Sequence, residues 1–380
     1  MFLEKEGKLI YSYDGETVCI EAWGKDALRV RATKNRSFTG RDWALEAKDA
    51  HAGEVEIFED PSAKGGAFAN MYEGTDTSYG KITNGKLHAV IDSGSVITFY
   101  HEDGRVLLKE HFRRLRDEES MPLNIMGREY SNGVGDNFRI VARFVARKGE
   151  KIFGMGQYQQ HELDLKGCML ELAQRNSQVS VPFYLSSIGY GFLWNNPGVG
   201  QVMFANNGTE WVTESGKEID YLVIAGDTPA EIEENYMTLT GKPPMMPEYG
   251  MGFWQCKLRY WNQEQLLSVA RKYKELGVPL DVIVVDFFHW TKQGEFKFDP
   301  KYWPDVPGMC RELKEMGIQV VVSVWPTVDI YSENFEEMKE KGYLVRTEHG
   351  VPLTMLCGGN EVFFDATNPD ARTYVWEKIK

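Results

Sequence analysis

DVIVVDFFHW (281–290) sets four β-branched aliphatic residues, Val282 to Val285, directly before a carboxylate and a cluster of rings. The aliphatic run has no polar alternation, so it suits a strand covered on both faces, as in a parallel sheet wrapped by helices. Around it the chain cycles between helix and strand. QEQLLSVARKYKELG (263–277) reads as an amphipathic helix ended by Gly277, PGMCRELKEMG (307–317) as a second helix, IQVVVSVWP (318–326) as a strand and ENFEEMKEKG (333–342) as a helix. YGMGFWQ (249–255) and EVFFDAT (361–367) read as further strands, and Asn368, with Pro369 behind it, caps a last helix. Such alternation predicts parallel strands joined by right-handed crossovers. No Gly-rich fingerprint follows YGMGFWQ or LDVIVVDF (280–287), as a dinucleotide-binding sheet requires. Polar and aromatic residues gather instead at the strand ends: Gln255, Asp286 to Trp290, Trp325 and Asp365. That pattern predicts a (β/α)8 barrel, whose sites are built at the C-terminal rim of the strands. A complete barrel takes about 250 residues. Residues 248–380 hold only its first part, so the natural chain is expected to continue beyond Lys380.

Residues 1–247 follow a different grammar. TVCIEAW (17–23), ALRVRAT (27–33), KLHAVID (86–92) and SVITFYH (95–101) are short alternating stretches separated by turn signals such as Asn84-Gly85 and Asp103-Gly104. VPFYLSS (181–187), YGFLWNN (190–196) and IDYLVIAG (219–226) continue the pattern, which predicts an antiparallel β-sandwich. TPAEIEENYMTLTG (228–241) then reads as one linker helix, with Thr228 as N-cap, Pro229 first in the helix and Gly241 past its end. The Pro-rich KPPMMPEYG (242–250) follows, and the domain boundary is placed between Pro247 and Glu248.

Composition narrows the partners. A net charge of −13 argues against nucleic acid and against an anionic membrane surface, and favours a neutral substrate. Cys19, Cys168, Cys256, Cys310 and Cys357 have no CxxC spacing, so they read mostly as small buried hydrophobes. The seven histidines show no metal-ligand spacing, and neither a metal nor another cofactor is expected. MFLEKEGKLI at the start carries charges where a signal peptide needs an apolar core, which points to the cytoplasm. A homo-oligomer is left open.

Asp286 has two readings. It is either a structural carboxylate that caps a loop or pairs with a lysine, or a ligand for a sugar. Sugar hydroxyls need charged acceptors, and the apolar face of a pyranose needs a ring to stack on. Phe287, Phe288 and Trp290 supply such rings beside Asp286, and Trp325 ends the next strand. His289 reads as a packed residue, and Trp290 and Trp303 are equally compatible with core.

IFGMGQ (152–157), VPFYLSSIGYGFLWNNPG (181–198), TPAEIEENYMTLTGKPPMMPEYGMGFWQCK (228–257), PLDVIVVDFFHW (279–290), FKFDPKYWPDVPGM (296–309), GIQVVVSVWP (317–326) and FFDATNPDAR (363–372) occur in one order. With them the chain resembles glycoside hydrolase family 31, the retaining α-glucosidases and α-xylosidases. The resemblance implies a galactose-mutarotase-like N-terminal sandwich packed on a (β/α)8 barrel. It also implies exo-cleavage of an α-linked sugar by an Asp nucleophile and an Asp acid/base, both after Lys380, so no catalytic residue is assigned in this chain. What it carries over is part of the sugar pocket. Asp286 falls on the strand-two Asp that binds hydroxyls. Phe287 takes the next position, where bulk decides whether a C6 hydroxymethyl fits. Ser323 stands where Trp or Ile is common, Trp325 where Asn or Asp is common, Gln157 where Glu is usual, and Lys257 at a position basic in some members.

The expectation is an enzyme that removes a non-reducing terminal xylose, or less favourably glucose, from α-linked oligosaccharides. The alternative is a non-catalytic carbohydrate-binding protein that keeps the sandwich and part of the barrel. In either case residues 1–380 alone are expected to be inactive and prone to aggregate through open strand edges.

Overall fold

The computed structural model describes residues 1–46, 49–59, 78–111, 125–347, 349–355 and 360–380. Contacts divide the chain into two compact units, Met1–Pro243 and Pro244–Lys380. Among the described residues no helix is long and apolar enough to cross a membrane.

Three antiparallel sheets make up the first unit. A nine-stranded sheet runs, in spatial order, through Phe2–Lys5, Lys8–Tyr13, Glu16–Trp23, Ala27–Thr33, Ile219–Ala225, Tyr190–Trp194, Val179–Ser186 and Ile152–Gln157, with Ala50–His51 beside Glu16–Trp23. Distant parts of the chain meet in it, as where Val30 pairs with Tyr221. One five-stranded sheet spans Glu54–Glu59 to Val106–Lys109, and another is built around Phe138–Phe144 and Thr209–Gly216. Leu87–Ile91 and Ile97–His101 alternate buried and half-buried residues, as strands with one covered face must. Their hairpin partner Ser78–Asn84 turns through Gly85 at φ 56°, which a side chain would strain. A single core draws Leu9 and Phe192 from the large sheet, Leu87 and Phe99 from one small sheet, and Phe144 and Trp211 from the other. The sheets therefore face one another as a sandwich.

Tyr190–Trp194 and Ile219–Ala225 are buried on both faces. Phe192, Tyr221 and Val223 point to the sandwich core, whereas Leu193, Leu222 and Ile224 pack with Ile232 and Leu239 of the helix Pro229–Thr240. That helix begins and ends as its residues predict: Thr228 accepts the Glu231 amide at 3.2 Å, Pro229 opens it, and Gly241 follows at φ 97°. In the large sheet, Arg29 is fully buried and donates Nε and Nη2 to Asp220 at 3.0 and 2.7 Å, and Nη1 to Asp42 at 2.7 Å. The bidentate geometry satisfies charges that burial would otherwise penalise.

The second unit holds a parallel sheet of Trp254–Cys256, Val282–Val285 and Gln319–Val322, in that order. Helices Gln263–Glu275 and Val306–Glu315 lie between these strands in sequence and contribute Leu266, Leu267, Ala270, Met309 and Leu313 to a core with Ile283 and Val285. Asn262 and Asp305 cap them by accepting the amides of Gln265 and Gly308. Residues 249–255 form a paired strand only from Trp254, because Glu248–Met251 forms a 3-10 turn.

Two expectations need correction. EVFFDAT is not a fourth parallel strand: Glu361–Phe363 pairs antiparallel with Thr327–Asp329, around a separate core of Val328, Phe335, Met338, Val362 and Val375. Past Val322 the chain turns at Pro326, which has no amide to continue the ladder, and its carbonyl instead accepts the Phe364 amide. Asp365 is consequently not a rim residue; it accepts Thr367 N and Oγ1 at 2.9 and 2.6 Å in the turn before the Asn368 cap. The cysteines also differ from expectation. Cys19 is buried, Cys168 half-buried, and Cys256 and Cys310 exposed, all four being free thiols; Cys357 lies outside the described residues.

Candidate functional site

The three parallel strands end together, and the residues that follow them form the candidate site. Val285 pairs with Val322, and Ser323 N extends the ladder by donating to Val285 O at 2.9 Å. The next residue on the central strand is Asp286, half-buried, with Phe287 N donating to its Oδ1 at 2.8 Å. Its Oδ2 lies 3.7 Å from the Cys256 thiol at the end of the neighbouring strand. Burial, and after it the Asp286 charge, push the Cys256 thiol above its ordinary range, so the sulfur keeps its proton and acts as a donor. A carboxylate offers about four acceptor positions. Two are occupied here, which leaves Asp286 able to accept from outside ligands.

A cluster of rings follows this carboxylate along the chain. Phe287 lies 4.1 Å from Phe288 and stacks on Trp325 with centroids 5.4 Å apart at 23°. Phe288 is held at φ 66° although it is neither Gly nor Asn, a conformation a bulky side chain adopts only when its surroundings impose it. His289 is buried against Trp290 and Phe298, with Nδ1 3.1 Å from Asp286 O. Burial pushes its imidazole below the usual value, against a smaller upward pull from Asp286. It is therefore a neutral packing residue. Trp303 is core, and Trp290 is half-buried.

Of the residues singled out by sequence, Asp286, Phe287 and Trp325 are brought into one cluster, and Ser323 adjoins it through the strand ladder. Lys257 is exposed one residue beyond the first strand, where its carbonyl lies 3.7 Å from the Cys256 sulfur. Gln255 faces the other way, its Oε1 accepting the Tyr273 hydroxyl at 2.7 Å. Cys256, which the sequence reading did not single out for the site, is Asp286's neighbour; its signal is its place as last residue of the strand beside the one that Asp286 follows. Among the described residues no group of three or more His, Cys, Asp or Glu is arranged to hold a metal ion.

Residues 243–380 match the glycosyl hydrolases family 31 TIM-barrel domain, and residues 17–202 the glycosyl hydrolase 31 N-terminal galactose mutarotase-like domain. Over its whole length the chain is 42% identical to "Uncharacterized family 31 glucosidase ORF2" of Pseudescherichia vulneris, of which it covers 70%. The chain belongs to glycoside hydrolase family 31. Within family 31 it is also 29% identical to alpha-xylosidase A of Aspergillus niger, across 96% of this chain and 50% of that protein. The crystal structure of a GH31 alpha-xylosidase from a soil metagenome, complexed with xylose, matches with a TM-score of 0.89 at 47% identity, over 100% of this chain and 55% of that one. The chain thus spans between 50% and 70% of these family 31 relatives. The expected fold, a mutarotase-like sandwich followed by part of a TIM barrel, is the one found.

Proposed function

We propose that the full-length protein is a retaining, exo-acting α-glycoside hydrolase that removes a terminal α-linked xylose, or less readily glucose, from the non-reducing end of oligosaccharides. The observation that carries this reading is Asp286, held at the rim of the parallel sheet with acceptor capacity to spare, next to the ring cluster that Phe287 makes with Phe288 and Trp325. In this reading Asp286 accepts hydroxyls of the non-reducing sugar, Phe287 and Trp325 bound its apolar faces, and Ser323 and Lys257 complete the lining. Retention requires two carboxyl groups about 5–5.5 Å apart. The chain spans only part of its family 31 relatives, and in line with what the family resemblance implies, the nucleophile and acid/base Asp residues are assigned to the part of the barrel beyond Lys380. Residues 1–380 alone are then inactive.

Xylose is favoured over glucose because Phe287 occupies the space a C6 hydroxymethyl would need. Ser323 works against this by making its own side of the wall small. The name alpha-xylosidase borne by the Aspergillus niger and soil-metagenome relatives supports the same preference. The test is hydrolysis of p-nitrophenyl α-xyloside and α-glucoside by the full-length protein, with the anomer of the first product followed by NMR. The α-anomer should appear first, with the xyloside cleaved faster. Sugar binding without hydrolysis of either would replace this reading with the binding-protein one.

A further inference from the structure

Between the first parallel strand and the helix Gln263–Glu275 runs the loop Lys257-Leu258-Arg259-Tyr260-Trp261-Asn262. Tyr260 is buried with Leu266 and Leu267 and fastens the loop to the core. The residues on either side of it stay at the surface, where Arg259 is half-buried and Trp261 is 59% exposed. The Arg259 guanidinium carbon lies 3.7 Å from the Trp261 ring centroid and 5.1 Å from that of Phe288. Phe288 touches Phe287, and Phe287 stacks on Trp325. A continuous strip therefore runs Trp325, Phe287, Phe288, Arg259, Trp261, with Asp286 beside its middle.

Simple packing does not account for the outer end of this strip. Arg259 Nε is shielded from solvent yet has no hydrogen-bond partner among the described residues. Phe288 keeps a left-handed backbone while the residue stays 49% exposed. An open shielded donor and a strained, half-exposed phenylalanine both carry a cost that internal contacts do not offset. A ligand with apolar faces and hydroxyl acceptors would offset both, since rings stack on its faces and a planar guanidinium donates to its oxygens.

We propose that Arg259 and Trp261, with Phe288, form the platform for the second sugar ring of the substrate, the neutral pyranose released on cleavage; this rests on the hydrolase reading above. Asp286 and Phe287 suffice for one ring, and Arg259 and Trp261 lie two and three contacts farther along the strip. Binding energy gathered there, away from the reacting bond, can be used to position that bond, so losing it lowers kcat as well as raising KM.

The experiment compares two leaving groups on the full-length protein: an α-linked disaccharide and the corresponding α-glycosyl fluoride, which has no second ring, using the xylosyl or glucosyl pair that the wild type prefers. Trp261→Ala should lower the ratio of kcat/KM on disaccharide to kcat/KM on fluoride by about tenfold or more. Arg259→Lys keeps the charge but loses the planar fork, and should lower the ratio in the same direction. Trp261→Phe keeps a ring and should restore most of it. A ratio unchanged in both Trp261→Ala and Arg259→Lys overturns the proposal, including the case where both substrates lose equally because the loop is destabilised. Wild-type protein that cleaves neither substrate overturns the hydrolase reading itself, and the platform with it.

Discussion

Asp286 keeps two acceptor positions engaged, by Phe287 N and near the Cys256 thiol, and the rest available. If those positions hold sugar hydroxyls, Asp286→Ala in the full-length protein removes about 2–4 kcal/mol of transition-state binding, roughly a 30- to 1000-fold fall in kcat/KM. Wild-type kcat/KM in a folded Asp286→Ala protein would leave Asp286 only its turn with Phe287 N. Phe287→Ile should raise kcat/KM on α-glucoside relative to α-xyloside by tenfold or more, the scale of one misfitted side-chain contact at about 1–3 kcal/mol; an unchanged ratio removes Phe287 as the gate. His289 gives a pH dependence. Its native value is held below the ordinary 6.5 by burial, so the unfolded chain binds the proton more readily. The stability it contributes is present above 6.5 and is lost as pH falls through the lowered native value. His289→Gln should flatten the acid-side decline of Tm in that window, and parallel Tm–pH curves for the two proteins would reject it. Asp286 was legible in the sequence because a charge after four aliphatics in a buried strand needs a reason. Arg259 was not, since an arginine in a polar loop carries no sign that its guanidinium will lie between Trp261 and Phe288.

Helix ends were the most legible elements. A capping side chain, an early proline and a closing glycine act over a few residues, so no distant partner has to be known. The last helix, Pro369–Ile379, shows what such a cap contributes: Asn368 Oδ1 accepts Asp370 N at 2.9 Å and Ala371 N at 3.4 Å. Asn368→Ala should destabilise the protein by about 1 kcal/mol, with Asn368→Asp close to wild type in chemical denaturation. Equal loss in both would mean that the cap contributes nothing through its oxygen. Strand partners were less legible than strands. VIVV declared a parallel, doubly covered strand through its unbroken aliphatics, and LHAVI a hairpin strand through its alternation and the Asn84-Gly85 turn. EVFF declares extension only. Its partner Thr327–Asp329 is chosen by the Pro326 turn and by the core that Val328 and Val362 share, which are tertiary facts.

At the scale of the molecule, the two units differ in how completely they satisfy themselves. Met1–Pro243 encloses one core among three sheets, whereas the parallel sheet of Pro244–Lys380 ends, among the described residues, in Trp254–Cys256 and Gln319–Val322, strands that a closed barrel would pair on both sides. Residues 1–243 expressed alone should be monodisperse and melt cooperatively; residues 244–380 alone should aggregate through those edges. A monodisperse, cooperatively melting 244–380 fragment in size-exclusion chromatography and calorimetry would contradict this. The change from sandwich to barrel was visible in sequence because alternating strands and helix–strand cycles have different periods, but the number of parallel strands was not, since pairing is settled by what surrounds each strand. The antiparallel pair of Thr327–Asp329 and Glu361–Phe363 adds no rung to the parallel ladder and rests on its own small core. Its length is therefore uncoupled from barrel shear. Residues added to or removed from its outer turns leave the register of the strand ending at Asp286 unchanged, which makes this excursion the place to graft a foreign loop.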